Sequence, residues 1–141
     1  MSFVAPNPRA FLGQIVGDGQ CVAYVKAAAG CPQTSKWTSG AIVKGSNVPA
    51  GTAIATFQDG DYGNHTDGRS HAAIFLSQDS KGLVVLDQWN GQVVHQRTIR
   101  FKGGNGEPRN DGDAFSVIED RIVMNKIQKA SAKASKVSKR R

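Results

Sequence analysis

The 141-residue sequence predicts an α+β fold in which N-terminal helices pack on an antiparallel meander sheet of about five to six strands. Three observations carry this. Helical signals fall in the first 30 residues, where "GDGQCVAYVKAAAG" (17–30) holds a turn, apolar positions at spacings of 3 and 4, and a closing glycine. Alternating apolar runs occupy much of residues 52–119. Short turn signals, with Asn90-Gly91 the clearest, join those runs as hairpins.

The elements follow in order. Asn7 as cap and Pro8 at the first position start a short helix over 7–15. Asp18 is the expected N-cap of the next helix, which puts Cys21 in its first turn. Val22, Val25 and Ala29 form its expected apolar face, Lys26 lies in the last turn, and Gly30 and Pro32 end it. Residues 36–57 read as a transition into sheet, with a turn at Pro49–Gly51 and a strand over 52–57. Residues 58–70 form a polar loop, long enough to suggest a functional role. Strands over 71–77, 83–89 and 92–101 make consecutive hairpins, and a last strand spans 114–119.

The charge is unevenly placed. Of 18 basic residues, seven lie in 125–141, where no acidic residue occurs, so residues 1–124 hold the other 11 against 11 acidic ones. The expected division is a domain over 1–120 and a basic Ala/Ser/Lys-rich tail over 121–141, solvated or disordered by itself. If helical, the tail would align Lys126, Lys129, Lys133, Lys136 and Arg140. A neutral body with a terminal charge run argues against nucleic acid as the partner, although the tail would suit a polyanion. A monomer is expected.

No run is long and apolar enough to span a bilayer, which takes about 20 residues. The start "MSFVAPNPRAFLGQ" lacks the pattern of a secretory signal, so export by another route is expected. Two cysteines do not make a disulfide framework, and two reduced thiols are the expected state. Asp59, Asp61 and Asn64 hint at calcium, but Asn64 and Ser70 occupy the glycine and glutamate positions of an EF-hand loop. Paired zinc ligands and phosphate-binding glycine motifs are also missing, so neither metal nor cofactor is expected.

Cys21 is the residue with most chemical promise. The first turn of a helix offers unpaired N–H groups and the positive end of the dipole, both of which favour a thiolate. Its amide, with Gln20 beside it, is suited to an oxyanion. Taken alone, a cysteine on a helix face is more often a small buried hydrophobe. Three histidines are available as a base. His71 sits where the polar loop enters a strand, His65 lies within the loop, and His95 is mid-strand with a surface role expected. Asp87 closes the strand paired with that of His71, so the hairpin permits a Cys21–His71–Asp87 relay. The competing reading of Asp87 is a partner to the turn that follows.

These residues carry a resemblance. "GDGQCVAYV" resembles the nucleophile helix of the CHAP amidases and related papain-like bacterial cell-wall peptidases. "SHAAIFLS" is similar to their base-bearing strand, and "VVLDQWNG" to the strand with the third polar residue. The similarity covers roughly residues 10–100 in the same order. It implies a papain-like fold, with Cys21 as nucleophile, His71 as base and acid, and Asp87 as orienter. The family commonly places glutamate at position 87 and asparagine two residues on. Here Asp87 and Trp89 stand there, so Gln88 and Asn90 remain candidates for the third role.

The resemblance further implies cleavage of peptidoglycan stem peptides, with Tyr62 and Trp89 as substrate contacts. It extends to small leaderless amidase toxins delivered between bacteria, which implies a neutralising immunity protein. Two other functions compete: a non-catalytic cell-wall or polyanion-binding module that uses the tail, and a Cys–His transferase or deamidase acting on protein.

Overall fold

A computed structural model describes residues 2–139, with side chains described as far as residue 132. Helix α1 spans Cys21–Ala29. Six strands follow: β1 (Trp37–Ile42), β2 (Ala53–Thr56), β3 (Ala72–Gln78), β4 (Gly82–Trp89), β5 (Gln92–Arg100) and β6 (Phe115–Asp120). Helix α2 spans Arg121–Lys139. The strands form one antiparallel sheet in the order β1-β6-β2-β3-β4-β5. The expected meander is present from β2 to β5. β6 then returns across the sheet and inserts between β1 and β2.

α1 differs from expectation in two details. Its N-cap is Gln20, with extended backbone, and Asp18 instead accepts the Gln20 N–H at 2.9 Å to close the preceding turn. Cys21 is therefore the first helical residue. The buried face is Tyr24, Val25 and Ala28, with Val22 and Ala29 only half-buried beside it. Cys21 shares the buried stripe by its spacing, so the thiol faces the sheet. The C-terminus behaves as expected: Gly30 is left-handed at φ 71°, and its N–H reaches the Lys26 carbonyl at 2.9 Å.

The short helix expected over 7–15 is reduced to a single 3-10 turn, Pro8–Phe11, without a side-chain bond from Asn7. The chain beyond it pairs with β5 instead, through Gly13 N–H to the Val94 carbonyl and Val94 N–H to the Gln14 carbonyl, both 2.9 Å. These bonds steer the Gly-rich turn toward the end of the sheet.

Strand alternation divides the core in two. On one face Ala72, Ile74, Leu86 and Val94 pack with Tyr24 and Val25 of α1. On the other, Ala73, Phe75, Leu83, Val85 and Ile99 pack with Phe115 and Val43. β1 is a full strand in what sequence patterning marks only as a transition. Thr38, Ser39 and Gly40 break apolar alternation, and pairing with β6 supplies what local preference lacks. Gly40 lies so close to β6 that a Cβ there would stand 2.7 Å from Glu119 Cγ.

The C-terminal segment is helical over Arg121–Lys139. Asp120 Oδ1 accepts the N–H groups of Ile122 (2.8 Å) and Val123 (3.1 Å), which nucleates α2. Arg121 fastens its first turn to the Trp37 carbonyl and to Asp61. Beyond that turn, Lys126, Ile127 and Lys129 are exposed. The side chains of Lys133 and Lys136, and the whole of Arg140, lie outside the described residues. No helix among the described residues is long and apolar enough to cross a membrane.

Candidate active site

The N-terminus of α1 abuts the end of the sheet where β3 begins and β4 ends. His71, just before β3, is held by its backbone: its N–H donates to Thr56 Oγ1, and its carbonyl accepts the Thr56 N–H, both at 3.0 Å. Two fixed main-chain groups leave the ring little freedom. The ring is buried, and its Nε2 lies 2.7 Å from Asp87 Oδ2. Nδ1 is then the ring nitrogen available to the Cys21 thiol, which hydrogen-bonds to His71. The Ala72 amide also bonds the Cys21 sulfur, and the Tyr62 hydroxyl lies 3.7 Å from it.

Asp87 is fully buried, which would be costly for a lone carboxylate. It is not alone. Oδ2 also accepts from Arg97 Nε at 2.8 Å, and His95 Nδ1 lies 3.8 Å from Oδ1. The β4–β5 register pairs Asp87 with His95 and Val85 with Arg97, so Arg97 reaches Asp87 diagonally across the ladder. Arg97 also covers the Trp89 ring, with its guanidinium carbon 4.9 Å from the centroid. The His95 ring meets Trp89 edge-on at 4.9 Å.

The electrostatics follow from this packing. Burial opposes ionisation of Cys21, but the hydrogen bond and charge of His71, with the Ala72 amide and Tyr62 hydroxyl, prevail and hold the thiol below its ordinary range. Burial likewise opposes protonation of His71, and is outweighed by its bonds to Asp87 and Cys21, which raise the imidazole to about 9. For Asp87 burial acts upward, while His71 and Arg97 hold the carboxyl below the usual carboxylate range. These shifts favour a thiolate beside an imidazolium, backed by a carboxylate. Tyr62, pushed well up by burial and then by Cys21, remains a neutral hydrogen-bond donor.

A cleft of about 630 Å³ opens over the sulfur. Gln20, Trp89, Asn90 and Arg97 line one side, and His65, Thr66, Gly68 and Arg109 line another. The 58–70 loop is thus a wall of the cleft, tied to the 101–114 loop by the Arg109 N–H on the Gly68 carbonyl at 3.1 Å. Gly68 turns there at φ 95°, a conformation that disfavours a side chain. Within the loop, His65 is anchored by Ser70 Oγ on its N–H (2.7 Å) and by Arg69 at its Nδ1 (3.0 Å).

The candidates separate clearly. Cys21, His71 and Asp87 come together. Gln20 lines the cleft with an exposed side chain. Gln88 is fully buried and turned elsewhere: Oε1 accepts the Val16 N–H (3.0 Å), and Nε2 donates to the carbonyls of Val16 and Gln20 (both 2.8 Å). It fixes the turn that precedes Cys21, not the ring of His71. Asn90 is on the exposed rim. Trp89, 39% exposed, presents an aromatic surface to the cleft, and Tyr62, buried with its ring packed on Trp37 at 4.9 Å, also lines it. Among the described residues, no cluster of three or more His, Cys, Asp or Glu side chains is arranged to hold a metal ion. Asp61, one of the acids that hinted at calcium, is bonded to Arg121.

Sequence reasoning missed Arg97 and the wall residue Arg109. Position 97 had a signal: two residues beyond the histidine opposite Asp87, it falls on the same face.

The family described as domesticated amidase effector 2 matches residues 2–118. A type VI secretion amidase effector 2 protein of Salmonella typhi is 40% identical over 119 residues, which is 79% of this chain and 88% of that protein. A domesticated amidase effector 2 of Ixodes scapularis is 41% identical over 121 residues, covering 80% of this chain and 82% of the other. The solved structure of a type 6 secretion amidase effector 2 superposes with a TM-score of 0.73 at 35% identity, over 84% of this chain and 94% of that one. The resemblance and α+β fold read from the sequence are thereby borne out, and the chain belongs to the domesticated amidase effector 2 family.

Proposed function

We propose that Cys21, His71 and Asp87 carry the amide hydrolysis that family membership assigns to this chain, with the peptide stems of peptidoglycan as substrate. The chain is a hydrolase of peptidoglycan amide bonds, of the secreted antibacterial effector class. The observation that most supports the residue roles is His71 bracketed between the Cys21 thiol and the buried Asp87 carboxylate.

The steps follow from that bracket. The Cys21 thiolate attacks the amide carbonyl carbon, and the carbonyl oxygen becomes an oxyanion. The Cys21 amide at the start of α1 faces that charge, with Gln20 as a side-chain donor. The C–N bond breaks as His71 Nδ1–H protonates the departing amine, leaving a Cys21 thioester and a neutral imidazole. His71 next takes a proton from water, whose oxygen attacks the thioester. The acid product leaves, and the thiolate–imidazolium pair is restored. Asp87 holds the ring in place and stabilises its charge throughout. Trp89 offers an apolar surface to the substrate, and the 58–70 loop confines it.

The catalytic unit in this reading is residues 1–120, supported by a family match that stops at residue 118. The basic segment over 121–141 is an appendage. Export follows a specialised secretion route of the kind named for the Salmonella typhi relative, with an immunity protein guarding the producing cell. The test is digestion of purified sacculi, with released muropeptides read by mass spectrometry. Wild-type protein yields new amine termini, and Cys21→Ala yields none while keeping its fold. A Cys21→Ala protein that digests sacculi at the wild-type rate overturns the assignment.

A further inference from the structure

We propose that Arg97 is a positioning residue of the reaction, a fixed counter-charge that shares the Asp87 carboxylate with His71 and keeps the imidazolium acidic enough to give up its proton. The proposal rests on the Cys21–His71–Asp87 reading above.

One carboxylate oxygen, Asp87 Oδ2, accepts from both His71 Nε2 (2.7 Å) and Arg97 Nε (2.8 Å). Arg97 Nη2 stands 3.4 Å from the same His71 nitrogen. The guanidinium is about one-quarter exposed, stacked on Trp89 and at the edge of the cleft. A buried carboxylate paired with histidine alone would concentrate its negative charge on the ring, and the imidazolium would become a reluctant acid. General-acid efficiency is best when the group titrates near the working pH. Arg97 places a positive charge against that carboxylate. It thereby weakens the hold of Asp87 on the proton of His71, and it also favours the nearby thiolate.

Other charged and titratable groups face this centre from every side. Cys21 and Tyr24 come from α1, Tyr62 and His65 from the 58–70 loop, His95 from β5 and Arg109 from the 101–114 loop. Only Arg97 among the arginines and lysines is ion-paired to Asp87 in the described residues. Arg109 is engaged by Glu107 at 2.6 Å.

The test is the pH profile of kcat and of kcat/KM for wild type, Arg97→Gln and Arg97→Lys, on a soluble muropeptide. Removing the charge leaves the proton on His71 to higher pH and makes the thiolate harder to form. Both limbs of the Arg97→Gln profile therefore move upward, by up to about one pH unit, and kcat falls about ten- to hundred-fold with KM nearly unchanged. Arg97→Lys returns both limbs toward wild type. Arg97→Met keeps an unbranched stem against Trp89, and it serves under the same criteria if Arg97→Gln does not fold. Unmoved limbs overturn the proposal, as does a rise in KM at constant kcat, which would make Arg97 a substrate contact. Cys21→Ala runs in the same assay. If it is inactive, an unmoved Arg97→Gln profile refutes this inference alone, whereas an active Cys21→Ala refutes the reading beneath it.

Discussion

The two ends of α1 make a controlled comparison, because each carries a cysteine. Cys21 is the first residue of the helix, and Cys31 follows the Gly30 cap. Both thiols are free. Burial pushes both upward, and at Cys31 nothing opposes it, so that thiol rises to about 12. At Cys21 the same burial is outweighed by His71, Ala72 and Tyr62. The difference lies in what the fold brings to each end. The open N–H end of α1 meets a histidine and a backbone amide at the start of β3, while Cys31 sits within the apolar cluster that contains Trp37 and Ile118. Position in the fold, not residue type, separates a thiol held below its ordinary range from one pushed above it.

The largest expected effect comes from erasing that difference. His71→Ala should lower sacculus hydrolysis by about ten-thousand-fold or more, and Cys31 should not register the change. Asp87→Asn is the next step down. It leaves the shape but removes the charge that orients the ring, and kcat should fall by about a hundred- to ten-thousand-fold while thermal unfolding shows the protein still folded.

Gln88→Leu acts one step earlier. It strands Val16 and Gln20 carbonyls together with the Val16 N–H, and should lower unfolding free energy by about 1–3 kcal/mol in a urea titration. Activity should fall with it, because the turn before Cys21 loses its brace. Cys31→Ala should be the mildest, about 1 kcal/mol of stability from a small cavity, with kcat/KM within about twofold of wild type.

Stability should also follow pH in a direction set by the same centre. His71 is raised to about 9, above its ordinary value, so its contribution is complete below about 6.5 and lost as pH rises through about 9. Asp87 is depressed, so its contribution is present above the usual carboxylate range and lost as pH falls through the lowered value. Denaturant midpoints measured from pH 2 to pH 10 should therefore decline at both ends, and Asp87→Asn should flatten both declines.

Much of this site was legible because its signals are local. A Gly-rich turn and a Gly30 stop place α1 within a residue or two, and the Asn90-Gly91 turn sets the hairpin that carries Asp87. His71 and Asp87 then meet because a hairpin brings the start of one strand to the end of the next. What could not be read depends on distant partners. β1 exists because β6 returns to it across some 75 residues of chain. The Arg97 contact is local to the β4–β5 hairpin, but a register shift between Asp87 and Trp89 displaces by one residue the pairing counted from the Asn90-Gly91 turn. The buried stripe of α1 was misplaced by one position, since Tyr24, aromatic but polar at its tip, points inward and gives its hydroxyl to the Pro8 carbonyl at 2.8 Å. The composition of α2 points to a solvated or disordered tail and leaves a helix open, and the signal that decides for the helix is Asp120, which stands where a cap belongs.

The most direct test of the central claim is the pH dependence of alkylation at each cysteine, resolved by peptide mass spectrometry on the folded protein. Cys21 should react with iodoacetamide below the ordinary thiol range of about 8.5, Cys31 should stay unmodified until the protein unfolds, and His71→Ala should raise Cys21 to the ordinary range or above it. A Cys21 that titrates as an ordinary thiol in the wild-type protein, unmoved by loss of His71, would contradict the account.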